Sequence, residues 1–134
     1  MVNKLEHIGI AVKDLAVASQ LYQSLLGVES YKQEEVASEN VITEFFKIGN
    51  TKIELLAASN ENSTILKFIE KKGEGIHHLA FEVDNIYKEM ERLKKEGFVL
   101  LNDEPKKGAD NKLICFVHPK SANGVLIELC QEIT

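Results

Sequence analysis

Apolar and small or polar residues alternate through Ile8, Gly9, Ile10, Ala11 and Val12, and again through Leu79, Ala80, Phe81, Glu82 and Val83. A two-residue period is that of a strand with one face buried. The two segments superimpose as "HIGIAVKDL" (His7 to Leu15) on "HLAFEVDNI" (His78 to Ile86) at a constant spacing of 71 residues. After each, the period lengthens to that of a helix. Asp14 is placed to cap the first, with Leu15, Ala18, Leu21, Tyr22 and Leu25 as its stripe and Gly27 at its end. Asp84 or Asn85 caps the second, with Ile86, Met90 and Leu93 as its stripe and Gly97 at its end.

Strand patterns then follow in both copies. "FVLL" (Phe98 to Leu101) opens the second set. "ITEFFKI" and "KIELLA" flank Gly49-Asn50, while "LICFVH" and "VLIELC" flank a turn region containing Asn123-Gly124, and both junctions carry hairpin chemistry. Between the copies, "NSTILKFIEKKGEG" predicts a short helix with Asn62 or Ser63 at its start and Ile65, Leu66, Phe68 and Ile69 on its apolar side. The expected architecture is α+β: two tandem βαβββ modules, about 4–58 and 75–132, joined by a helix at about 62–72. At 134 residues this makes one domain.

A formal charge of −5 without a basic stripe argues against nucleic acid, because clustered Lys and Arg carry most of the affinity for phosphate backbones. No apolar run reaches membrane-spanning length, and "MVNKLEHIGIAV" lacks signal-peptide features, so a cytoplasmic protein without a membrane partner is expected. Cys115 and Cys130 form no CxxC pair and read as reduced, buried thiols.

The repeat also pairs chemistry. His7 matches His78, and aligning "KIELL" with "LIELC" matches Glu54 to Glu128. His7 shares a strand face with the small Gly9 and Ala11, and His78 with Ala80, as expected of a face lining a cavity, whereas His77 points the other way. Alone, each of these residues reads as structural. Together, two carboxylates converging on one point repel unless one takes up a proton or a positive charge holds them, and a divalent metal bound also by the two imidazoles supplies that charge. Nitrogen and oxygen donors without thiolate suit Co(II), Mn(II), Ni(II), Zn(II) or Fe(II).

These residues resemble the vicinal-oxygen-chelate superfamily, whose members pair βαβββ modules around a metal, and within it the methylmalonyl-CoA epimerase family. The likeness covers nearly the whole chain, through "LEHIGIAVKDL", "GNTKIELL", "ILKFIEKKGEGIHHLAFEVDNI", "LLNDEPKKGA" and "FVHPKSANGVLIEL". It implies that His7, His78 and Glu128 bind the metal, that Glu54 occupies the fourth ligand position, and that cobalt(II) comes first among the candidate ions. It further implies that Glu44, in "VITEFFKIG", is a catalytic carboxylate; the second acid–base group is then Glu128 or a bound water. The implied activity interconverts (R)- and (S)-methylmalonyl-CoA by proton abstraction at C2 through a metal-stabilised enolate.

An acyl-CoA partner needs cations for its phosphates, and Lys106, Lys107 and Lys120 are the candidates, with Lys71 and Lys72 behind them. A homodimer is expected from the family likeness. The alternatives are a glyoxalase I type isomerase, a non-catalytic binding protein of the same fold and, last, a ring-cleaving dioxygenase. "HPKS" before the final strand weighs against the first, and the complete His and Glu set weighs against the second.

Overall fold

The computed structural model describes residues 1–134. Its elements run β1 (Val2–Ala11), α1 (Leu15–Leu26), β2 (Lys32–Val36), β3 (Val41–Ile48), β4 (Thr51–Ala58), α2 (Thr64–Lys72), β5 (Gly75–Val83), α3 (Ile86–Lys95), β6 (Lys106–Lys107), β7 (Lys112–Val117) and β8 (Ile127–Glu132). This is strand, helix and three strands, twice over, with α2 between the copies, as the repeat predicts.

The helix ends follow local chemistry. Asp14 Oδ1 accepts the Val17 N–H at 3.2 Å, and Gly27 closes α1 in the left-handed region (φ 71°) that glycine adopts without strain. Ser63 Oγ caps α2 and Asn85 Oδ1 caps α3.

The chain divides into two compact units, Met1–His7 with His78–Thr134, and Ile8–His77. Their boundaries are not those of the sequence repeat, because β1 gives its first residues to the unit that holds the second copy. In that unit the strands follow the order β1-β5-β8-β7-β6, and β5 pairs with β8 in parallel, Ala80 opposite Glu128. One face carries α3: Ile86, Met90 and Leu93 pack on Val83, Cys115, Val117 and Leu129. The other face gathers Ala80, Ile114 and Cys130. In the second unit the order is β2-β3-β4-β1, with α1 over Val12, Phe46, Leu55 and Ala57, and α2 over Ala11, Val41 and Leu56.

Two expectations are corrected. Phe98 to Leu101 makes no ladder of its own. Only Leu100 bridges Val117, because side chains take the places of strand partners: Ser121 Oγ accepts the Val99 N–H at 2.9 Å, and Asn102 Oδ1 accepts the Phe116 N–H at 2.8 Å. Pairing with β7 resumes at Lys106 and Lys107. On α1, Leu15, Ala18 and Tyr22 pack on the sheet, but Leu21 and Leu25 remain 56% and 69% exposed, since the apolar stripe is wider than the surface the helix covers.

Candidate metal centre

In the unit that includes the second copy, β1, β5 and β8 each bring one donor to the same point. His7 Nε2 lies 3.0 Å from His78 Nε2, and the two rings meet edge to face. Glu128 spans both, with Oε2 at 3.5 Å from His7 Nε2 and Oε1 at 3.4 Å from His78 Nε2. All three side chains are buried. The parallel register explains the convergence: Ala80 faces Glu128, and His78, two residues earlier on β5, lies on the same face. Two facing imidazole nitrogens with a carboxylate across them form a nitrogen and oxygen donor set that fits a divalent ion.

A fourth residue acts on this centre, and sequence reasoning passed over it. Glu6, 2% exposed, sets its Oε1 2.7 Å from His7 Nδ1. A carboxylate accepts, so His7 donates from Nδ1 and presents Nε2 as a lone pair. Strand alternation predicts that Glu6 points away from the His7 face, which is why the pattern concealed it. The signal was only its burial as a charged residue.

His77, expected to be structural, turns its ring edge-on to Phe68 at a centroid distance of 4.9 Å. Burial, then the charge of Lys72, lowers its pKa to about 4, so it is neutral near pH 7. The buried Cys115 thiol is pushed up to about 11 by burial and by the negative charge of Glu128, and Cys130 is raised further for the same reasons.

In the other unit, Glu54 lies buried in β4 opposite Phe45. Glu44 does not share that face. It pairs with Leu55 on the side that α1 covers, where Ser19 Oγ donates to its Oε2 and Gln33 Nε2 donates to its Oε1 at 2.7 Å. Glu44, expected as the proton-transfer carboxylate, is thus a buried, doubly hydrogen-bonded acid under a helix, on the face opposite Glu54. Thr43 stands on the Glu54 side instead. The sequence held the signal, because the two-residue Gly49-Asn50 turn pairs Ile48 with Thr51 and so places Glu44 opposite Leu55. Lys106 and Lys107 on β6 and Lys120 in the turn before β8 are exposed.

Comparison with known proteins agrees with this architecture. The chain is 43% identical over 133 residues to the ethylmalonyl-CoA/methylmalonyl-CoA epimerase of Cereibacter sphaeroides, covering 98% of this chain and 99% of that one. The crystal structure of methylmalonyl-CoA epimerase from Mycobacterium tuberculosis superimposes with a TM-score of 0.95 at 36% identity, covering 99% and 90% of the two chains. A variant of the Streptomyces coelicolor methylmalonyl-CoA epimerase, in complex with 2-nitronate-propionyl-CoA, matches with a TM-score of 0.95 at 31% identity over the full length of both. Residues 6–116 match the family model for the glyoxalase/bleomycin resistance protein/dioxygenase superfamily, and the chain belongs to that superfamily.

Proposed function

We propose that this chain is a metal-dependent epimerase that interconverts (R)- and (S)-methylmalonyl-CoA, removing the C2 proton and returning one to the opposite face. The observation that carries the reading is the convergence of His7, His78 and Glu128, joined to the likeness over nearly the whole chain to epimerases of this substrate. His7 and His78 hold the ion through Nε2, Glu128 through its carboxylate and Glu54 as the fourth ligand, with cobalt(II) the first choice of metal. When bound, the ion supplies Lewis-acid stabilisation of the negative charge that develops on the substrate, worth several kcal/mol.

The chain's own groups do the remaining work. Removing a proton between a thioester and a carboxylate requires a base held within hydrogen-bond reach of C2. Glu128 takes the C2 proton on one carboxylate oxygen while the other stays with the imidazoles, and a water molecule serves the opposite face. Burial of both histidines and the glutamate excludes bulk water, which strengthens every charge interaction at the centre. Lys106, Lys107 and Lys120 steer the CoA phosphates.

We place the protein in the cytoplasm as a single domain; no helix is long and apolar enough to cross a membrane. It assembles as a homodimer, and the exposed row Val17, Leu21 and Leu25, one turn apart along α1, is the surface a second copy covers.

The deciding experiment follows deuterium uptake at C2 of methylmalonyl-CoA in D₂O. Exchange is expected with the metal-loaded protein, to vanish after exhaustive chelation, and to return with Co²⁺. Full exchange in the chelated protein, or isomerisation of the methylglyoxal–glutathione hemithioacetal in place of exchange, overturns the reading.

A further inference from the structure

The two histidines of the metal centre have different surroundings although the repeat makes them equivalent. At the spacing of 71 residues, the counterpart of Glu6 is His77. Glu6 sets its carboxylate 2.7 Å from His7 Nδ1, with both side chains buried. His77 instead packs its ring edge-on to Phe68.

We infer that Glu6 is a positioning residue that fixes His7 in the Nδ1–H tautomer and so holds its Nε2 lone pair open toward the metal position. This inference rests on the reading of His7 as a metal ligand. The physical basis is the carboxylate–imidazole pair. A buried anion accepting the Nδ1 proton locks ring rotation, leaves the Nε2 lone pair aimed at the ligand position, and increases electron density on that nitrogen. Without the carboxylate, the proton is free to move to Nε2, and a ring protonated there cannot bind. His7 Nε2 is the nitrogen 3.0 Å from His78 and 3.5 Å from Glu128, so it is the atom the tautomer must leave open.

The feature breaks the twofold symmetry of the repeat without changing a ligand, since a carboxylate bonded to the neighbouring imidazole stands at one position and a ring packed on Phe68 at the other. Loss of such a partner costs about 10- to 100-fold in metal affinity.

The test titrates Co²⁺ alone into the metal-stripped chain against a competing chelator, following visible absorbance. Glu6→Gln is expected to weaken binding about 10- to 100-fold, and His77→Gln to change it less than about threefold. Equal affinity of Glu6→Gln and the native chain overturns the inference while leaving the ligand assignment standing. A native chain that takes up no Co²⁺ sinks the ligand assignment itself. Because Glu6 is buried, Glu6→Gln is exposed to folding defects, so a second measurement uses the native chain: nitrogen NMR of ¹⁵N-histidine-labelled, Zn²⁺-loaded protein. A proton on His7 Nδ1, shifted far downfield by its hydrogen bond, supports the inference. A proton on Nε2 with the metal on Nδ1 refutes it.

Discussion

Replacing Glu44 by Gln separates two roles that this residue has in the sequence and in the structure. The Glu44 carboxylate is 6% exposed and accepts from Ser19 Oγ on α1 and from Gln33 Nε2 on β2, so it ties a helix and an edge strand to β3. Hydrogen bonds to a charged group contribute about 1.5–3 kcal/mol each. Gln keeps one acceptor oxygen for Gln33 and offers an amide to Ser19, whose hydroxyl reverses to accept; the loss is that of charge assistance, about 1–2 kcal/mol. For a chain of this size that lowers Tm by roughly 3–8 °C. Leu at the same position leaves both donors without a partner, and the expected loss rises to about 2–5 kcal/mol. Proton exchange at C2 is expected to stay within about threefold of the native rate for Glu44→Gln, because its carboxylate is held by Ser19 and Gln33 on the face opposite Glu54. The assay pairs a thermal unfolding curve with deuterium exchange on the same preparation. A Gln variant with native Tm whose exchange falls by about 100-fold or more would falsify the placement of Glu44 as a structural acid.

Other outcomes follow from the same coordinates. With its pKa near 11, Cys115 carries only about 1% thiolate at pH 9, so alkylation of the native chain by iodoacetamide should be slow there, accelerate towards pH 11, and become fast at pH 9 only in denaturant; rapid native labelling at pH 9 would contradict its burial. Leu21→Glu, which charges the exposed row on α1, should convert a homodimer to monomer in sedimentation equilibrium while leaving Tm within a few degrees, and an unchanged mass rules out that surface. Replacing Lys106, Lys107 and Lys120 together by Ala should raise KM for the acyl-CoA about tenfold or more at low salt with kcat retained. An unchanged KM removes these lysines from the binding site.

What the sequence alone determined is what depends on neighbours along the chain. The two-residue period marked β1 and β5, the 3.6-residue period marked the helices, and Asp14, Ser63, Asn85 and Gly27 marked their ends, because caps and periodicity are local physics. The repeat carried His7, His78 and Glu128, since an identical strand pattern places identical side chains on identical faces. Tertiary structure decided the rest. Whether Leu21 and Leu25 are buried depends on how much of α1 the sheet underneath covers, and the helical stripe does not encode that width. That Phe98 to Leu101 forms no ladder depends on Ser121, 22 residues beyond Val99, and on Asn102 reaching Phe116, 14 residues on, side chains that capture backbone groups a local reading assigns to a strand. The bond from His7 to Glu6 runs against strand alternation, for a long carboxylate side chain buried beside an imidazole goes to its hydrogen-bond partner rather than to the face its backbone indicates.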